Sequence, residues 1–370
     1  MTIKHLVITG GGPYGFYSFG ILGHLKKMGF FDSENIETIH ATSIGCIVGL
    51  FMVMKKTSYD ELKEYVVNKP VVDLLALTTD HIFDMYSKKG VYDSVYIFKN
   101  ILEPIFHAEG VSPEITMGEF YEIYGVSLNF MCTDINNDFV EYCISRNTQP
   151  DMPVYKAIAA SASIPLVFYP VTLENMCLVD GGAVCNYPMQ YLLSSEPDYV
   201  RSEIIGIKNN YIDPPKVVVN QESTILNYIH AFVDKLMNKL DSRHNHVEYD
   251  PLMGSVPHEI SIDITGVIGL LNTDIMNDLV TNKDSRSKLI TDGFDIADIY
   301  LKSIQFTSSQ HDNDIHKHKE NEENGEDENE NEHGENEHGE NEHGENEHGE
   351  NEHGENEHGE NENENEPGIC

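Results

Sequence analysis

The feature that most limits the fold is an order that occurs twice near the N-terminus: a short apolar strand, a break at small residues, then an apolar helix. His5 to Thr9 is an apolar, β-branched run that leads into the glycines Gly10, Gly11, Gly12 and Gly15. Phe16, Phe19, Leu22 and Leu25 then recur at helical spacing, and Gly29 stops the pattern. Glu37 to Thr42 predicts a second strand, and Ile44 to Lys55 a strongly apolar helix. Strands that alternate with helices in this way predict an α/β fold, with a parallel sheet covered by helices on both faces.

Further strands are predicted at Val126–Asp134, Phe139–Ser145, Met176–Asp180, Glu203–Lys208 and Glu259–Ile264. Helices are predicted at Ser58–Val67, Ser94–Phe106, Pro153–Ser161, Thr224–Leu240 and Lys288–Ser303, and Asn209–Glu222 reads as a loop. After about Phe306 the apolar pattern collapses. Asn331 to Glu360 is six tandem copies of Asn-Glu-His-Gly-Glu, a period with no apolar position from which to build a core. The expected organisation is a core over 4–195, a remainder of the same α/β domain over 196–306, and a disordered acidic tail over 307–370.

Charge excludes some functions. The net charge is -38, from 62 acidic and 24 basic residues. The stretch from His311 onward holds about 24 acids and 2 lysines, which leaves about -16 for the rest. A nucleic-acid partner needs a basic surface and is not expected. Electrostatic docking on anionic lipid is disfavoured for the same reason. The six cysteines, Cys46, Cys132, Cys143, Cys177, Cys185 and Cys370, show no metal-knuckle spacing. They read as reduced residues of an intracellular protein, and neither a metal site nor a cofactor is expected. The tail histidines are weak metal ligands at most, and a solvated low-complexity segment is the simpler reading. The most apolar run, Cys46 to Met54, is too short to span a bilayer, and the N-terminus lacks the pattern of a secretory signal.

Three motifs carry chemistry. Gly10-Gly11-Gly12-Pro13-Tyr14-Gly15 is a strand-to-helix loop whose backbone N–H groups can face an anion. It fits a dinucleotide phosphate cradle, an oxyanion hole or a plain turn. Ala41-Thr42-Ser43-Ile44-Gly45 lies between an apolar strand and an apolar helix, the setting of a nucleophile elbow. Ala41 and Gly45 are small, as the sharp turn requires, although Ser43 as a simple helix cap is the competing reading. Asp180-Gly181-Gly182 ends a predicted strand, and it is either a partner for a serine or an ordinary Asp-Gly turn.

Taken together, the order and spacing of these motifs resemble the patatin-like phospholipase family. Thr133-Asp134, the run from Ala157 to Pro165, Asn186-Tyr187-Pro188, and Leu289-Ile290 with Gly293 add to the likeness, which covers about Lys4 to Leu301. One departure is Ala41, where the family has glycine. The resemblance implies a three-layer α/β/α fold with a mainly parallel central sheet. It also implies a Ser43–Asp180 dyad without a catalytic histidine, and no cofactor. Gly10, Gly11, Gly12 and Gly15 would then form the oxyanion hole, Ala41 to Gly45 the elbow, and an acyl lipid at a membrane or micelle surface would be the substrate. Phe16, Tyr17 and Phe168 to Pro170 are candidates for an acyl pocket, with ordinary core as their simpler role.

Three other readings stay open at this level. One is a triad using His24, His40, His81, His107, His230 or His258. The second is a non-catalytic lipid-binding or interaction protein on the same fold. The third is a nucleotide-binding oxidoreductase, for which Glu37 is the available acid.

Overall fold

A computed structural model of the chain describes positions 2–69, 86–195, 198–212, 219–223, 228, 231–232, 235, 256–265, 278–279 and 281–323, with side chains to position 305. Contacts divide the chain into two units, Met1–Ser309 and Gln310–Cys370. In the first unit a single sheet holds β1 (His5–Ile8), β2 (Thr38–Thr42), β3 (Ser127–Asp134), β4 (Val140–Ser145), β5 (Val171–Leu173), β6 (Met176–Asp180), β7 (Ile204–Ile212) and β8 (His258–Thr265). The order is β5-β6-β3-β2-β1-β7-β8, and β4 also pairs with β3. The pairs β1–β2, β1–β7, β2–β3 and β7–β8 are parallel, whereas β3–β4, β3–β6 and β5–β6 are antiparallel. The sheet is therefore mainly parallel, as predicted.

Helices cover it: α1 (Gly15–Lys27), α2 (Ile44–Met52), α3 (Tyr59–Asn68), α4 (Ser94–Glu109), α5 (Met117–Tyr124), α6 (Val154–Ser161), α7 (Met189–Ser195) and the first-unit part of α8 (Lys283–Glu323). The larger core lies under α1, α2, α4 and α6, and includes Leu6, Ile8, Leu22, Ile39, Leu50, Phe106, Phe130 and Ile158. A smaller cluster of Val7, Met189, Leu192, Leu193, Ile204 and Val256 lies under α7. Alternate residues of one strand serve the two layers, as in Leu6 and Val7 of β1. α1 and α8 cross where Gly20 meets Gly293: a Cβ on Gly20 would lie 3.2 Å from the Gly293 Cα.

β3 acts as a ruler for the site. β2 runs along β3 and ends with Thr42 opposite Met131. β6 approaches from the other direction and ends with Asp180 opposite Cys132, the next rung. The residues that follow Thr42 and close β6 must therefore meet end to end.

One buried carboxylate fixes the connection after α2. Glu109, at the end of α4, is 2 % exposed. Its oxygens accept from the N–H groups of Lys55, Lys56 and Thr57, from Thr57 Oγ1, and from Tyr124 Oη. Burial alone would raise its pKa, but the donors led by Thr57 outweigh it and hold the carboxyl below its usual range. Glu109→Gln keeps the volume but turns an amide NH2 toward several N–H donors. It should lower stability by about 2–4 kcal/mol in a urea titration, because charge-assisted bonds become opposed donors. A loss under about 0.5 kcal/mol, the range of ordinary surface changes, would contradict this account.

Several predicted limits move. β5, α5 and α7 were not predicted, since each is short and its pattern is set by packing rather than period. Asn209–Ile212 is strand, not loop, because β8 pairs with it through Thr265. α2 stops at Met52 rather than Lys55. α4 continues past Phe106 to Glu109 with Pro104 inside it. α8 begins at Lys283 and its backbone stays helical to Glu323, well beyond Ser303. Neither glycine nor proline interrupts the chain between Gly293 and Gly325, so its polar residues continue a helix already started. The Thr224–Leu240 helix falls largely outside the described residues, as does the repeat tail.

Candidate active site

Ser43 follows β2 and precedes α2, with φ 54 and ψ -126. A non-glycine residue in that region is strained, and the strain lifts its side chain clear of the strand-to-helix turn. The side chain does not cap α2. Instead Ser43 Oγ donates to Asp180 Oδ2 at 2.7 Å across 137 residues of chain. Asp180 Oδ1 accepts from the Gly182 N–H at 2.7 Å. Ser43 is 5 % exposed and Asp180 3 %. Burial pushes the Asp180 carboxyl up to about 6, and the bonds from Ser43 and Gly182 restrain the rise.

Small residues let the parts close. A Cβ on Gly10 would lie 3.1 Å from Ser43 Cβ, and one on Gly15 would lie 2.5 Å from the Ile44 side chain. Gly12 opens a short 3-10 turn, Gly12–Tyr14, that leads into α1. Among the described residues, no protein group accepts from the N–H groups of Gly11 and Gly12. Ala41 is fully buried within β2, opposite Ile8 and Phe130, so its methyl packs into the core and the turn at Ser43 still forms. Gly181 lies against the Met131 carbonyl, where a Cβ would come within 2.2 Å.

A cavity of about 240 Å³ opens beside Ser43. Gly12, Gly15 and Ser43 line one part, and Phe16, Ile47, Phe51, Phe98, Ile101 and Phe168 line much of the rest. Of the aromatic candidates, Phe16 and Phe168 reach it, whereas Tyr17, Tyr169 and Pro170 are not among its lining residues.

Two positions had no role assigned from sequence. Ser161 Oγ accepts from the Ser43 N–H at 2.9 Å and donates to the Met131 carbonyl at 2.6 Å. It ties the elbow to β3 and occupies the Ser43 amide. The available signal was a small hydroxyl within the run from Ala157 to Ala162, in an otherwise apolar helix. Asn209, placed in a loop by sequence, lies against the glycine loop and donates to the Gly10 carbonyl at 2.8 Å.

No described histidine touches the pair. His24 bonds Asp298, His107 lies beside Glu103, and His258 bonds Tyr300. His40 packs beside Tyr191 of α7, and burial, with some help from His5, pushes it down to about 3, so it is neutral. His81 and His230 lie outside the described residues. Glu37 precedes β2, at the end of the strand away from Ser43, and pairs with Lys4, so it does not face the glycine loop. No group of histidines, cysteines and acids among the described residues could hold a metal ion. The described cysteines, Cys46, Cys132, Cys143, Cys177 and Cys185, form no disulfide among the described residues.

A family model described as patatin-like phospholipase matches residues 6–193. The chain belongs to the patatin-like phospholipase family. Its relatives include "Probable lipid hydrolase 463L" of Invertebrate iridescent virus 6, 29% identical over 194 residues. That match covers 50% of this chain and 62% of the viral protein. "Uncharacterized protein R571" of Acanthamoeba polyphaga mimivirus is 29% identical over 195 residues, covering 50% of this chain and 60% of the relative. The match thus spans about three fifths of either relative. Among solved structures, VipD from Legionella pneumophila is similar with a TM-score of 0.43 and 14% identity, over 82% of this chain and 67% of VipD. In this patatin-like chain the matched region contains Ser43, Asp180, the glycine loop and Ser161, but ends before Asn209.

Proposed function

We propose that the protein hydrolyses carboxylic esters of acyl lipids, with Ser43 as nucleophile and Asp180 as its base. The observation that carries this reading is the 2.7 Å bond between Ser43 Oγ and Asp180 Oδ2, buried at the edge of an apolar cavity. Membership of a phospholipase family and the printed name of the iridescent-virus relative support a lipid ester as substrate.

In the first half-reaction Asp180 takes the Ser43 proton as Oγ attacks the ester carbonyl. The oxyanion meets the N–H groups of Gly11 and Gly12, with Ile44 at the start of α2 as a further donor. The alcohol leaves with the proton held by Asp180. In the second, water attacks the acyl-enzyme, gives a proton to Asp180, and the fatty acid departs as that proton returns to Ser43 Oγ. The Ser43 N–H is taken by Ser161 and is not part of the hole. The acyl chain lies among Phe16, Ile47, Phe98 and Phe168, where its burial contributes about 0.8 kcal/mol per CH2.

This reading places catalysis in a core over 4–195, with 196–306 completing the same α/β domain and 307–370 as an acidic tail. The position of β7 and β8 within the one sheet supports it. Among the described residues no helix is long and apolar enough to cross a membrane. The reading therefore has the protein meet lipid at a membrane or micelle surface.

The test is a panel of phospholipid, lysophospholipid and glyceride esters, run with fluorophosphonate labelling. Wild type should release fatty acid and label at Ser43. Ser43→Ala should lose labelling and at least about 10³-fold in rate, as expected for loss of a nucleophile. A wild type that is inert to both, or a Ser43→Ala variant of full activity, would sink the reading. Inertness together with lipid binding would favour the non-catalytic alternative.

A further inference from the structure

We propose that Asn209 is a positioning residue that aims the Gly11 amide at the oxyanion, an assignment that rests on the hydrolase reading above. β1 and β7 pair in parallel up to Ile8 opposite Ile207, and the Thr9 N–H still reaches the Ile207 carbonyl at 3.0 Å. Continuing that register brings Asn209 level with Gly10. β1 has ended there, and the Asn209 side chain takes up the carbonyl that the ladder leaves.

Asn209 Nδ2 donates to the Gly10 carbonyl at 2.8 Å. The Gly10 N–H is held separately by the Asn186 carbonyl at 3.1 Å. In a trans peptide the C=O of one residue and the N–H of the next point in opposite directions. Fixing the Gly10 carbonyl toward Asn209 therefore turns the Gly11 N–H to the other side of the peptide, away from β7. Gly11 has φ 145, so the peptide on its N-terminal side is not held by ordinary helix or strand geometry and needs an external anchor.

Asn209 presses directly on Gly11: a Cβ there would lie 2.4 Å from Nδ2. The close fit explains why this position carries no side chain. The amide orientation is not arbitrary, because the flipped form would set Oδ1 against the Gly10 carbonyl. In the orientation present, Oδ1 is buried and no described residue donates to it. A buried acceptor left in that state destabilises a fold. An apolar residue would leave no such acceptor but would strand the Gly10 carbonyl, so the amide trades one unmet group for another and keeps the Gly10 peptide fixed. Its function is the donor that holds the peptide.

The test compares wild type with Asn209→Asp and Asn209→Leu. Asn209→Asp keeps the shape and replaces the donor with a second oxygen. Asn209→Leu keeps the size and removes both polar atoms. Four quantities are measured: kcat, KM, the rate of Ser43 phosphonylation, and Tm. Both variants should lose about 10- to 100-fold in kcat, as for a misplaced or lost oxyanion donor. KM should stay within about 2-fold, since the acyl cavity is untouched. Phosphonylation, which forms the same charged oxygen, should fall by the same factor, while Tm falls only by the few degrees that one lost buried hydrogen bond costs.

A kcat within about 2-fold of wild type in either folded variant overturns the assignment, as does loss of the fold in both. An inert wild type removes the hydrolase reading itself. An active wild type beside an equally active Asn209→Asp removes only the role of Asn209.

Discussion

Asp180→Asn should lower kcat/KM for ester hydrolysis by about 10³-fold or more while the protein stays folded, because the group that accepts the Ser43 hydroxyl proton among the described residues can then no longer take it. The pH dependence follows from the carboxyl at about 6. Its ionised form is the base, so the wild-type kcat/KM should climb about tenfold per pH unit below that value and level off above it. The variant's residual rate should lack the inflection. Stability should move the other way. Asp180 titrates at about 6 in the folded chain against 3.8 for an ordinary aspartate. Its bound proton therefore stabilises the fold fully below 3.8, and this contribution is lost as pH rises through about 6. At neutral pH the buried charge costs on the order of 3 kcal/mol relative to acid. Asparagine does not ionise, so the Tm of the variant relative to wild type should be higher at pH 8 than at pH 4. A flat wild-type rate profile between pH 5 and 7 would remove Asp180 as the base.

Gly45→Ala should be a severely damaging single-methyl change at the site. The added Cβ would lie 2.6 Å from the Thr9 carbonyl oxygen and 2.7 Å from that of Ile8, both backbone atoms that cannot swing aside. Relief requires α2 to back away from β1, which carries Ser43 away from both Asp180 and the glycine loop. The expected loss is about 3 kcal/mol or more, near the upper end for overpacking. That corresponds to a fall in Tm of roughly 6–12 °C for a domain of this size. Activity should drop about 100-fold even in the folded fraction, since a shift of about 1 Å suffices for that. Ala41→Gly, on the other side of the serine, is the contrast. It removes a methyl that packs without conflict in β2 and should cost only about 1 kcal/mol. Equal tolerance at both positions would contradict the packing described here.

The acidic repeat, the strand–helix alternation and the candidacy of Ser43 and Asp180 were open to reading in the chain alone. Burial within one element leaves a local trace: His5–Ile8 is apolar because both faces of β1 are covered, and Gly45 is small because β1 lies beneath it. The sequence could also place small residues around Ser43 without saying what they make room for. Partnership leaves no such trace. Nothing near Ser43 or Asp180 reveals that β2 and β6 end on adjacent rungs of β3, the arrangement that brings two side chains 137 residues apart to 2.7 Å. The same holds for Ser161 on the elbow and Asn209 on the glycine loop, polar residues whose use depends on which backbone group faces them. Periodicity records whether a position is inside or outside. Only the order and register of the strands decide which inside groups meet.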